Sequence, residues 1–305
     1  MSEIAPAVHP IDTMLGGRTG FTAAYLVAAE QPAIVDTGSQ TSARTVIEAL
    51  HAYGIGSEDL AWIVLTHIHL DHCGGTGAIA EAFPNATVVV HRRGARHLVE
   101  PDRLVAATAT VHGELASLYG GLDPTPAERI ISAEDGHRVD LGGGRNLLMA
   151  ETPGHARHHM AVLDEQTGTV FAGDAVGVTF GEGTTYPAMP PSDIDIPGWL
   201  RSLDRIEAMN PVVMCPTHFG AVADPARTIA VTRAQLRITG EASIAAWRAE
   251  ASVESVRAAL RRELPLEAIV RDPQAIDYWR SVEWEGANAD GVAAWAQGAV
   301  EAEGG

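Results

Sequence analysis

Cysteine is nearly absent from this 305-residue chain. It has only Cys73 and Cys215, too few for the stapled framework of a small secreted domain, so a reducing cytoplasm is the expected setting. Long apolar runs are missing too. The longest early one, 21–29, is about nine residues against the ~20 that span a bilayer, and acidic Glu3 and Asp12 precede it. Neither a signal peptide nor a membrane helix is expected. Basic residues are scarce, with 21 Lys and Arg beside 39 Asp and Glu, and the formal charge of −18 repels polyanions and anionic membrane surfaces. Nucleic acid and membranes are thereby excluded as expected partners, and a small-molecule substrate remains. Internal repeats and low-complexity tracts are also lacking. What is present, 46% apolar and 20% charged residues, fits a chain that folds throughout, as one large domain or two.

The first half alternates short apolar strands with glycine turns and amphipathic helices. Strands are predicted over 22–28, 33–36, 62–65 and 87–90, and helices over 42–53 and 74–83. Residues 67–73 then form a loop between a strand end and a helix start, the place where α/β proteins carry chemistry. One or two helices are predicted over 98–119, strands over 129–132 and 146–151, and a hairpin of 160–163 with 169–171 around Gly168. A helix over 198–209, a loop over 181–198 and a buried strand over 212–214 follow. From Asp224 onward Ala, Arg, Glu and Leu dominate and glycine turns thin out. The expected organisation is therefore a domain over 1–223 with a helical extension over 224–305 that serves as a lid or a homodimer surface.

Thirteen histidines are present, and their placement is informative. Thr66-His67-Ile68-His69-Leu70-Asp71-His72 puts four strong metal-ligating side chains within six residues at the end of an apolar strand. Alternate residues of an extended segment face one way, so His67 and His69 can share one ion while Asp71 and His72 face a neighbouring one. Three later motifs each end a strand with one ligand-type residue: Thr152-Pro153-Gly154-His155, Phe171-Ala172-Gly173-Asp174 and Cys215-Pro216-Thr217-His218. Each alone reads as an ordinary loop residue; four such strand ends together do not.

These residues resemble the metallo-β-lactamase superfamily, whose HxHxDH motif is matched by His67, His69, Asp71 and His72. The resemblance spans about 22–223 and implies an α/β fold in which two sheets form an αββα sandwich. It implies that His67, His69 and His155 bind one metal, that Asp71, His72 and His218 bind a second, and that Asp174 bridges both. Zinc is the first expectation, with iron or manganese as alternatives. Asp36 in Val35-Asp36-Thr37-Gly38 matches the early aspartate that supports the ligand loop. Two such ions would share a hydroxide that attacks a polarised carbonyl, with Asp71 orienting it or relaying a proton. The bridging aspartate points away from antibiotic hydrolysis, toward glyoxalase-like enzymes. The expected activity is hydrolysis of a small carboxylic ester, thioester or lactone.

The resemblance is incomplete in its substrate features. No basic cluster follows His218, and Ala175, Val176 and Gly177 stand where lactonases carry a tyrosine. One alternative is a sulfur dioxygenase with a single iron on His67, His155 and Asp174; another is a metal-containing regulatory protein capped by its helical tail. Helices over 98–119 and the region of Phe180, Tyr186, Met189 and Trp199 would wall an apolar pocket or pack in the core. His158 and His159 are expected beside the site without ligating, and Cys73 and Cys215 as buried thiols. His9, His51, His91, His97, His112 and His137 carry no assignment.

Overall fold

The computed structural model describes residues 3–179, 185–190, 193–270, 276 and 284–304. Its first sheet contains β1 (Val8–Asp12), β2 (Ala23–Val27), β3 (Ala33–Val35), β4 (Trp62–Val64), β5 (Thr87–His91) and β6 (Ile130–Ala133), in that spatial order. The strands from β3 to β6 are parallel and the first two pairings are antiparallel. A second sheet contains β7 (Arg138–Asp140), β8 (Asn146–Glu151), β9 (Met160–Asp164), β10 (Thr169–Gly173) and β13 (Val213–Pro216), in the order β13-β10-β9-β8-β7. In a small ribbon, β11 (Val178–Thr179), just before the 181–198 stretch that reads as loop from the sequence, pairs with β12 (Thr185–Tyr186) inside that stretch.

The period of two in each strand explains the layering. Tyr25, Val35, Val64 and Val89 of the first sheet share one buried cluster with Met149, Val162, Phe171 and Cys215 of the second, so the sheets face each other. The intervening residues Leu26, Ile34, Ile63 and Val88 point outward onto α1 (Ala43–Ala52) and α3 (Thr76–Ala82) through Val46, Leu50 and Ile79. On the far side, Ala161, Val170 and Met214 meet Trp199 and Leu203 of α6 (Ile196–Ala208). Strands covered on both faces read as continuous apolar runs, and the result is the four-layer αββα sandwich.

The outer cluster continues into Ile229 and Leu236 of α7 (Pro225–Ala249), Leu260 of α8 (Val253–Glu263) and Val292 of α10 (Trp284–Gly304). Asp224 caps α7 by accepting the amide of Arg227 at 3.0 Å, with Pro225 at the first turn, which explains the compositional change there. The core of the C-terminal helices is thus shared with α6 and the second sheet. No helix among the described residues is long and apolar enough to cross a membrane.

Beside that ribbon, two strands of the main sheets depart from the sequence expectation. β1 carries Pro10 and polar residues, and β7 buries only Val139; both are edge strands, where half the backbone pairing and most of the apolar alternation are absent. Residues 67–73, expected as loop throughout, contain a single helical turn, α2 (Leu70–Cys73), opened by the carbonyl of His69, which accepts the amides of His72 and Cys73 at 3.0 and 2.9 Å.

Candidate metal centre

Five chain segments converge at one end of the sandwich. His67 and His69 follow β4, Asp71 and His72 sit on α2, His155 follows β8, Asp174 follows β10 and His218 follows β13. Ligand atoms of His67, His69, His155 and Asp174 lie within 4.8 Å of one another, as do those of Asp71, His72 and His218. His69 Nδ1 is 3.0 Å from His67 Nε2 and 2.9 Å from His155 Nε2. Asp174 joins the two groups: its Oδ2 is 3.4 Å from His155 Nε2, and its Oδ1 is 3.3 Å from His72 Nε2 and 3.6 Å from His218 Nε2. Asp71 Oδ2 lies 3.2 Å from His218 Nε2. Ligands at ~2.1 Å from one tetrahedral ion stand roughly 3.4 Å apart, so the spacing suits divalent cations.

The outer nitrogens fix the tautomers. His72 Nδ1 donates to Asp36 at 3.1 Å, His155 Nδ1 to the carbonyl of Ala188 at 2.7 Å, His218 Nδ1 to the carbonyl of Phe21 at 3.3 Å and His67 Nδ1 to Thr66 Oγ1 at 3.1 Å. Each turns its Nε2 inward. His72 Nε2 and Asp174 Oδ1 are buried with no hydrogen-bond partner, a costly state for polar atoms unless a cation takes them up. The donor set, imidazole nitrogens and carboxylate oxygens, fits a divalent transition metal.

Electrostatics divide the two groups. Burial pushes His67 and His69 well below the usual histidine range, neighbouring imidazoles add to the shift, and burial also lowers His155 against the pull of Asp174. These rings are neutral and ready to ligate. Burial would lower His72 and His218 as well, but Asp174 and Asp71 outweigh it and raise both. The same contacts hold Asp71 and Asp174 below the usual carboxylate range, His72 being the largest influence that opposes burial on each.

Asp36, with φ of 58°, turns its carboxylate back under the site. It accepts from the amide of Thr66 at 2.8 Å, from Thr66 Oγ1, from Thr217 Oγ1 at 2.7 Å and from His72, tying β3, β4, α2 and β13 together. His159, expected beside the site, accepts the amide of Asp174 on Nε2 at 3.1 Å and donates from Nδ1 to Thr152 at 2.8 Å. Burial pushes His158, on the cavity wall, down to about 3. Both cysteines are free and buried.

The centre forms the floor of a cavity of about 770 Å³. Leu104, Val111, His112 and Tyr119 of the expected helical stretch line it, but Tyr186, Met189 and Trp199 do not; they are buried in the outer core, and Phe180 lies outside the described residues. His97, Arg92, Arg93, Arg96 and Arg157 also line it and were not foreseen, because isolated surface-type residues carry no periodic signal. Asn288 of α10 was missed as well. Its Oδ1 accepts the amide of Met189 at 2.7 Å and its Nδ2 donates to the carbonyl of Pro187 at 3.2 Å, bracing the segment whose Ala188 carbonyl orients His155. Asn288→Ala is expected to weaken metal affinity several-fold to about tenfold, read by chelator competition. A lowered melting temperature with unchanged affinity would reduce Asn288 to packing.

A family model described as the metallo-beta-lactamase superfamily matches residues 17–218, a span that contains all seven side chains. The metallo-beta-lactamase fold-containing protein ST1585 of Sulfurisphaera tokodaii is 36% identical over 170 residues, 54% of this chain and 63% of that protein. Its crystal structure is similar with a TM-score of 0.64 at 28% identity, covering 76% of this chain and 86% of that one. The N-acyl homoserine lactonase AttM of Azorhizobium caulinodans is 29% identical over 117 residues, 38% of this chain and 40% of that protein. Human acyl-coenzyme A thioesterase MBLAC2 is 28% identical over 167 residues, 48% and 55% of the two chains. The matches span less than two thirds of the length of these curated relatives.

Proposed function

The chain belongs to the metallo-beta-lactamase superfamily, and from that premise we propose that it is a divalent-metal-dependent hydrolase of a small-molecule carboxylic ester, thioester or lactone, holding two ions, zinc foremost. His67, His69 and His155 would hold one ion, Asp71, His72 and His218 the other, and Asp174 both. The observation that carries this reading is Asp174 standing between two groups of inward-facing ligand atoms, its own Oδ1 orphaned, beneath a cavity of substrate size. A lactonase and a thioesterase among the relatives support the bond class.

Bound divalent ions supply a water acidic enough to attack near neutral pH and polarise the carbonyl under attack. The chain's own residues do the rest. Asp71, 17% exposed while Asp174 is 3% exposed, is the accessible carboxylate on the cavity floor. Held ionised by His72 and His218, it accepts the proton of the attacking water and returns it to the departing thiolate or alkoxide. Ile68, Leu70, Leu104, Val111, Val178 and Pro190 present apolar surface that excludes bulk water from the reacting atoms.

The test is a panel of aryl esters, acyl thioesters and lactones on metal-quantified protein beside His69→Ala. Turnover that disappears together with metal in the variant is the expected result. A protein holding one iron that consumes oxygen, or one that turns over nothing in the panel, overturns the reading.

A further inference from the structure

Every one of the 21 basic residues in the chain is an arginine; there is no lysine, and acidic residues number 39. Against that excess of negative charge, four arginines line this one cavity: Arg92, Arg93, Arg96 and Arg157. Among the described residues, apart from Asp71 and Asp174 of the metal centre, the acidic residue lining it is Asp193, and Arg157 already pairs with it at 3.3 Å. Arg92 lies 3.8 Å from Glu134. Arg93 and Arg96 have no acidic partner among the described residues, and Arg96 Nε donates to His97 Nε2 at 3.2 Å.

The turn that carries them is built rather than loose. His91, 2% exposed, accepts the amide of Arg93 on Nδ1 at 3.1 Å and so donates from Nε2 to Glu151 at 3.0 Å. The carbonyl of His91 accepts the amide of Gly94 at 2.7 Å, and that of Ala133 accepts the amide of Arg92 at 3.0 Å. Gly94 is pressed onto the metal-site loop: a Cβ there would stand 2.7 Å from Cγ2 of Ile68, the residue between His67 and His69. The backbone that carries the arginines is therefore held at a fixed position beside the centre, so the ligand need not order it. Guanidinium forks match phosphate and carboxylate oxygens in pairs. Leu104, Ala107 and Val111, on the helix α5 (Asp102–His112), supply an apolar wall to the same cavity.

We propose that the substrate joins an apolar acyl portion to an anionic group, a phosphate or a carboxylate, distant from the scissile bond, and that Arg93 and Arg96 receive that group at the cavity mouth. This deepens the hydrolase reading and rests on it for the scissile bond alone.

Three thioesters test it: neutral S-octanoyl-N-acetylcysteamine, S-octanoyl-4′-phosphopantetheine with phosphate on the thiol side, and S-suberyl-N-acetylcysteamine with a carboxylate on the acyl side. At low salt at least one charged thioester should exceed the neutral one in kcat/KM by about tenfold or more, mainly through KM. The advantage should shrink at about 0.5 M salt and collapse toward unity in the Arg93→Ala/Arg96→Ala double variant, whose exposed positions leave the fold intact. Equal values for all three, or an advantage indifferent to both substitutions, overturns the proposal. If none is hydrolysed, the thioester branch of the hydrolase reading falls by itself. Calorimetric binding of the S-octyl thioethers of 4′-phosphopantetheine and N-acetylcysteamine and of the S-(7-carboxyheptyl) thioether of N-acetylcysteamine then decides the matter. A preference for either charged thioether, lost in the double variant, sustains the anion site, and no preference removes it.

Discussion

Asp174→Ala is expected to cost the protein metal and turnover together, with kcat/KM falling on the order of a thousandfold. Among the described residues this carboxylate is the one acid whose two oxygens face histidines of both groups, His155 on one side and His72 and His218 on the other. Without it, each group is reduced to three donors, and the negative charge between the two proposed ions is lost. Asp174→Asn separates charge from volume. It keeps the size and the amide contact to His159, yet should still lose more than half of its metal at limiting free concentration. Elemental analysis and steady-state kinetics on the same preparations provide the check. Either variant retaining full metal and turnover within tenfold of the parent would remove Asp174 from the centre.

Gly154→Ala should be nearly as damaging without touching a ligand. Gly154 precedes His155 with φ of 140°, and a Cβ there would lie 2.3 Å from Cα and Cβ of Trp199 at the start of α6. The added atom would strike the helix backbone itself, the Trp199 amide nitrogen included at 2.6 Å. The carbonyl of Gly154 accepts the amide of Asp195, and the Trp199 indole donates to the carbonyl of Ala175 at 2.6 Å while its ring lies 5.6 Å from that of His155. Overpacking together with left-handed strain costs about 3–5 kcal/mol, a melting-temperature drop of roughly 10 °C. Because α6 cannot retreat without moving the His155 turn, metal content should fall as well. Thermal scans and metal analysis of the variant decide it, and values matching the parent would mean that α6 is not seated on this glycine.

The seven ligand-type side chains are legible because they cluster just beyond four apolar strands, and a strand buried on both faces is an unbroken Val/Ile/Leu run that announces where it stops. Asp36 was legible for the same reason, following Ala33–Val35. Its contacts to Thr66, His72 and Thr217 were not, since they join residues up to 181 positions apart. β1 and β7 were missed because edge strands bury one face or one residue and so lose the alternation.

Local pattern by itself therefore determined the order of the central strands and the helices that cover them, the motif ends that group together and the start of the C-terminal helices, because burial periodicity and capping act over a few residues. Tertiary structure alone decided which ends meet, which histidine nitrogen faces inward, that Asn288 of α10 braces His155, and that a turn of arginines borders the site. Those depend on separations in space that charge, size and spacing along the chain do not encode until the two sheets close on each other.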